Sequence, residues 1–140
     1  MIIVFESRTG NTKTIADKLA EAVQAQGVDV EVKRGRECEA ADLEQVDAVA
    51  MGGATYHHDL IPSMKEFLFK TEKADLEGKP GLAFGSFGWS GDAIDIIQDT
   101  MIHLHKMDVI KPPLKVNAWK PESDLAEIGE LAKRIADKLK

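Results

Sequence analysis

The sequence predicts an α/β fold, a three-layer, doubly wound, five-stranded parallel sheet with helices on both faces. Three observations carry that expectation. Apolar runs of strand character alternate with amphipathic helical patterns along all 140 residues. The first run, Ile2 to Phe5, contains no polar residue, as a strand buried on both faces would. The stretches richest in glycine, hydroxyl and aromatic residues, at 7–12, 53–59 and 86–92, follow the first, third and fourth runs, so all three belong to one end of the sheet. Open parallel sheets bind ligands at that carboxyl end.

The elements follow in order. Ile15, Leu19, Ala22 and Val23 fall at i, i+4, i+7 and i+8, which predicts a helix, with Gly27 at its C-terminal cap. Alternation over Val28-Asp29-Val30-Glu31-Val32 predicts a second strand with one wet face, near a sheet edge. Arg34 to Gln45 is charged and weakly periodic, a loop with one helical turn. Val46 to Met51 is a third strand, from which Gly52-Gly53 releases the chain into Ala54-Thr55-Tyr56-His57-His58-Asp59. A helix begins near Pro62, a residue favoured at the first helical position, with Met64, Phe67 and Leu68 facing inward. Gly78, Lys79 and Pro80 turn into a fourth strand over Leu82 to Phe84. Ile94, Ile97, Met101 and Leu104 then mark the inner face of a fourth helix. Val109, Ile110, Leu114 and Val116 form a fifth strand that Pro112-Pro113 confines to an edge or splits. Leu125, Ile128, Ala132, Ile135 and Leu139 predict one closing amphipathic helix. With neither repeat nor linker in between, the expectation is a single domain over 1–140.

Composition narrows the function. At 44% apolar and 30% charged it is that of an ordinary globular domain. No apolar run approaches the ~20 residues of a membrane span, and the N-terminus has no secretory pattern, so a cytoplasmic monomer is expected. Cys38 is the only cysteine; it can form no internal disulfide and reads as a small hydrophobe. A net charge of −6 argues against nucleic acid and anionic membranes and favours partners with basic faces. The chain has no C-x-x-C pair, triad or metal-ligand spacing, and His103 and His105 are expected at the surface, so no catalytic or metal residue is assigned.

What remains is a binding site. Ser7-Arg8-Thr9-Gly10-Asn11-Thr12 lies between a buried strand and a helix N-terminus, where free N–H groups and the positive end of the dipole favour an anion. Three hydroxyls and an amide suit a phosphomonoester, with Gly10 allowing close approach or positive φ. No lysine follows Gly10 as a Walker loop requires, and Gly10 is the only glycine between Met1 and Gly27, so G-x-G-x-x-G is absent too. The alternative is an ordinary turn capped by Thr12 or Asn11. The second and third loops add Tyr56 and Trp89, with Phe87 and His57 or His58 nearby. Each aromatic face on a planar ring adds ~0.5–1.5 kcal/mol beyond area burial. Singly, Trp89 could pack on the fourth helix and Tyr56 could cover the sheet edge. Together with Gly88 and Gly91, whose amides can face a ligand, they favour a ring site. A phosphate at one end and a flat ring at the other describe a mononucleotide.

On these residues the chain resembles the flavodoxins, small FMN-binding electron carriers, across essentially its whole length. Ser7-x-Thr9-Gly10-Asn11-Thr12 is similar to their phosphate loop, and Gly85-Ser86-Phe87-Gly88-Trp89 to the third FMN loop of the short-chain subgroup. Gly53-Ala54-Thr55-Tyr56 and Gly85 to Gly91 are similar also to the flavodoxin-like domain of flavo-diiron proteins. The resemblance implies strand order 2-1-3-4-5 and FMN as cofactor. It implies that Ser7, Arg8, Thr9, Gly10, Asn11 and Thr12 hold the phosphate end, with Arg8 at a position the family leaves variable. It implies that Tyr56 and Trp89 flank the ring, while the backbone from Ala54, Thr55 and Tyr56 to His57 and His58, and from Ser86, Phe87 and Gly88 to Gly91, meets its polar parts.

One departure bears on redox behaviour. Many flavodoxins carry glycine where this chain has His57, and the glycine peptide flips to accept a hydrogen bond from reduced flavin N5. A side chain makes positive φ costlier, so the one-electron-reduced flavin is expected to be less stabilised here, and His57→Gly should enlarge its plateau in a redox titration. Asp59, Asp92, Asp95 and Asp99, on or just after the flavin loops, are expected to lower the potential and dock a basic partner; Asp92 and Asp95 could also serve as helix-start acids. The expected function is low-potential electron shuttling between redox enzymes. The alternatives are an FMN-dependent reductase of a quinone or other small molecule, and a module docking to a separate diiron oxygen reductase. A receiver-type regulator lacks support, because Ser7-Arg8 stand where it needs an acidic pair.

Overall fold

The computed structural model describes residues 1–56 and 58–140. Strand β1 (Ile2–Glu6) is buried throughout and runs parallel to both β2 (Glu31–Arg34) and β3 (Val49–Gly53). Two further two-residue strands, β4 (Thr55–Tyr56) and β5 (Asp59–Leu60), form a separate antiparallel pair. The long strand β6 (Pro80–Phe87) lies beside β3 and pairs in parallel with both β7 (Asp108–Val109) and β8 (Leu114–Asn117). Counting β7 and β8 as two pieces of one strand, the order is 2-1-3-4-5, as expected. The split falls where Pro112-Pro113 can donate no ladder hydrogen bonds.

Alternate residues of each central strand enter opposite layers. Ile2 and Val4 of β1, Val49 and Met51 of β3 and Ala83 of β6 join Met64 and Phe67 of α3 (Pro62–Lys70) and Ile94 and Ile97 of α4 (Asp92–Asp99). Leu43 of the short helix α2 (Ala40–Glu44) belongs to the same layer. Ile3, Phe5, Ala50, Leu82 and Phe84 face the other way, onto Ile15, Leu19 and Val23 of α1 (Asn11–Gln24). Ile128, Leu131 and Ile135 of α6 (Ile128–Lys138) complete that side, behind the one-turn helix α5 (Glu122–Leu125). Burying an aliphatic side chain of this size contributes about 1.5–3 kcal/mol. A sheet covered on both faces is thus the reason its strands read as unbroken apolar runs.

Several boundaries differ from the sequence expectation. The second strand begins at Glu31 rather than Val28, because β1 offers no partner before Ile2; Glu31 N–H donates to Met1 O. Val28 and Val30 still pack on the α1 side, and the wet face is as expected. Gly52 and Gly53 stay inside β3 instead of leaving it. The Phe84 ring occupies the space a side chain at Gly52 would need, within 2.2 Å of its Cβ position, and glycine is what lets β3 run on beneath it. After α4 the chain widens into a π turn over Thr100–Leu104, with His105 N–H donating to Thr100 O. That turn rotates the register by one residue: Leu104 points to solvent and His105, expected at the surface, is buried in its place. His103 is exposed as expected. The single closing helix is instead α5 and α6, broken where Glu127 N–H bonds to Asp124 O at i−3. The charged stretch after β2 holds a turn of 3₁₀ helix at Gly35–Glu37 as well as α2.

Candidate functional site

The carboxyl ends of β1, β3 and β6 deliver three loops to one edge of the molecule. In the first, Gly10 has φ 89°, a left-handed conformation that suits glycine, and from it α1 begins at Asn11. Ser7 Oγ accepts a hydrogen bond from Gly10 N–H at 2.9 Å, and Thr14 Oγ1 donates to Gly10 O at 3.1 Å. Neither Thr12 nor Asn11 caps the helix. Thr12 is fully buried, its hydroxyl 3.3 Å from Ser86 Oγ, a bond that ties the first loop to the third. No acidic residue stands in the first turn of α1, and among the described residues no side chain accepts its N–H groups. The dipole end therefore faces outward with neutral donors around it, which suits a phosphate.

The second loop is the β4–β5 pair, in which Tyr56 stands opposite Asp59. Tyr56 is half exposed, and the Arg8 guanidinium lies over its ring at 4.5 Å from the centroid, a cation–π contact joining first and second loops. His57 lies outside the described residues. His58 has φ 62°, and its Nδ1 sits 2.9 Å from Asp92 Oδ2 and 3.2 Å from Ser90 Oγ. That bond holds the Asp92 carboxyl below the usual carboxylate range and pins the second loop to the third. Thr55 Oγ1 adds another link, accepting from Ala93 N–H at 3.3 Å. Trp89 on the third loop is 95% exposed, so it does not pack on α4.

These loops enclose two adjoining clefts. One, of about 200 Å³, lies between the loop around Arg8, Thr9 and Asn11 and the segments Ala54 to Tyr56 and Ser86 to Gly88. The other, of about 470 Å³, continues from Thr55, Tyr56 and Gly88 to His58 and Trp89. Of the expected residues, Ser7, Gly10, Thr12 and Gly91 line neither; Ser7, Gly10 and Thr12 shape the loop from behind, and Gly91 is the N-cap of α4 beneath the stem of Lys115. Two of the acids around the clefts have a lysine partner, Asp59 with Lys65 and Asp95 with Lys115, while Asp92 is hydrogen-bonded to His58. Sequence reasoning missed Ile61, Ala118 and Trp119, which line the clefts. The signal for the last two was the fifth strand itself, which ends on the same side as the other loops.

The flavodoxin-domain family profile matches residues 2–112. Over 146 residues the chain is 34% identical to a flavodoxin of Maridesulfovibrio salexigens, covering 99% of this chain and 97% of that one. It is 30% identical over 145 residues to the type A flavoprotein fprA of Rhodobacter capsulatus, covering 99% of this chain but only 33% of that longer protein. The solved structure of an archaeal flavodoxin superposes with a TM-score of 0.89 at 33% identity, over 98% of this chain and 96% of the other. A hydroxyl-rich loop at a helix N-terminus, joined to an aromatic cleft at the carboxyl end of a 2-1-3-4-5 sheet, fits the cofactor these comparisons imply. The chain belongs to the flavodoxin family of FMN-binding electron-transfer proteins.

Proposed function

We propose that this chain is a low-potential electron carrier between redox proteins that meet it through basic faces. One observation carries the reading: the phosphate-type loop and the aromatic cleft are continuous, stitched by the Thr12–Ser86, Arg8–Tyr56 and His58–Asp92 contacts. The backbone of Ser7 to Thr12 would hold the FMN phosphate, with Arg8, over Tyr56, as a cation on the same loop. Tyr56 and Trp89 would flank the ring, and Thr55 to His58 with Phe87 to Gly91 would meet its polar edge. Bound FMN supplies the redox chemistry, accepting and returning one or two electrons at its ring. The residues around it bind, orient and limit water; the exposed Trp89 side leaves an edge open to a partner. Because Asp59 pairs with Lys65 and Asp95 with Lys115, their field at the ring is weaker than the acid count alone would give. The excess negative charge that draws a basic partner belongs to the whole chain, at −6.

Anaerobic reduction tests the reading. The FMN-loaded protein should be bleached by a chemical reductant and stay oxidised in NAD(P)H alone; rapid NAD(P)H oxidation would instead make it a reductase. One observation favours a second reading, a module that docks to a separate diiron oxygen reductase: the chain is 30% identical over 145 residues to a type A flavoprotein. Capture of a metal-containing reductase that accepts its electrons would support that version.

A further inference from the structure

We propose that Trp119 is a third aromatic wall of the flavin-ring site, acting on the ring and not on the phosphate; this rests on the FMN reading above. Strand β8 pairs with the end of β6 in the register Phe87 to Asn117, so the chain leaves β8 beside the Gly88–Trp89 loop. The exit is fixed by three hydrogen bonds. Ala118 N–H donates to Phe87 O at 2.8 Å, Trp119 N–H to Asn117 Oδ1 at 2.8 Å, and Asn117 N–H to Asp124 Oδ2 at 2.9 Å. This anchoring presents a large indole that is 77% exposed in the same cleft as the exposed rings of Trp89 and Tyr56, an aromatic patch of the kind that marks a ligand site.

What it faces is the cleft already assigned to the ring. Trp119 lines the 470 Å³ cleft with Tyr56 and Trp89, and its Nε1 is 3.4 Å from the Cβ position of Gly88. Neither Trp119 nor Trp89 lines the smaller cleft that reaches Arg8, Thr9 and Asn11, so both belong to the end away from the phosphate loop. A flat ring at that end would gain contact with the indole, and a phosphate at the α1 terminus would not.

The placement separates ring binding from phosphate binding. Flavin-free protein carrying Trp119→Ala should bind FMN and riboflavin more weakly than wild type by the same factor, roughly tenfold, the upper range of one aromatic contact. Trp119→Phe should recover most of the loss for both. The exposed side chain leaves the core untouched, and an unchanged circular dichroism spectrum of each variant verifies this. Wild-type protein that binds FMN beside a Trp119→Ala variant with both affinities within about twofold of it would overturn the inference and leave the function standing. A loss confined to FMN would also overturn it, by putting Trp119 at the phosphate. Wild-type protein that binds neither flavin would overturn the functional reading and this inference together.

Discussion

Gly10 is the residue on which the first loop turns into α1. Its φ of 89° opens α1, and among the described residues beyond its chain neighbours none comes within 4 Å of where a Cβ would be, so a substitution there is penalised by backbone conformation and not by a clash. Gly10→Val should cost about 1–2 kcal/mol at that position. It should also weaken FMN binding by about tenfold while leaving riboflavin within about twofold, as titration calorimetry would show, since in the proposed site only FMN would reach the helix N-terminus. His105 makes a second prediction. Burial lowers its pKa below the ordinary 6.5; Nδ1 lies 3.3 Å from Ala74 O, and Nε2 has no partner among the described residues. Below pH 6.5 the unfolded chain takes up a proton that the native state refuses, so stability falls as pH drops from 6.5 towards the lowered pKa and levels off beneath it. Urea midpoints of wild type and His105→Leu, compared from pH 7.5 to 5, should converge or cross as the wild type loses ground; parallel curves would refute this. Cys38, fully buried with its thiol pushed up to about 11, should resist thiol reagents until the protein unfolds.

At the scale of elements, Glu6 joins the end of β1 to the turn after β2. Fully buried, it accepts Arg36 N–H at 2.8 Å and the Arg36 guanidinium at 3.2 Å, with Arg34 at 3.8 Å. Glu6→Gln should lower stability by about 2 kcal/mol, less than for a fully buried pair because both arginines reach solvent, and shift the urea midpoint without changing the slope. Strand and helix identities were legible in the sequence, because burial on both faces leaves unbroken apolar runs and the helices carry 3.6-residue stripes. The two-piece edge strand was legible too, through Pro112-Pro113. What was not legible depended on neighbours distant in the chain. The start of β2 is set by where β1 begins, the length of β3 by the Phe84 ring over Gly52, and the burial of His105 by a π turn that no periodicity announces. The site divides in the same way: its loops could be read from composition, whereas the Arg8–Tyr56 and His58–Asp92 links and the arrival of Trp119 needed the sheet to bring separate segments together.

For the whole molecule, a chain of charge −6 should meet a basic partner at a rate that falls steeply as salt rises from about 10 to 300 mM, because the attraction is screened over a shrinking Debye length. Stopped-flow electron transfer to an acceptor with a basic docking face would show it, and a salt-independent rate would remove electrostatic steering from the account. The clefts, of about 200 and 470 Å³, adjoin through Thr55, Tyr56 and Gly88, as a site for a ring and its side chain requires. The most direct measurement is the ultraviolet–visible spectrum of the protein purified without added cofactor and then supplied with FMN. A bound-flavin absorption with quenched fluorescence, saturating at one flavin per chain, is expected; a protein that stays colourless and leaves added FMN as fluorescent as free flavin would contradict the FMN reading.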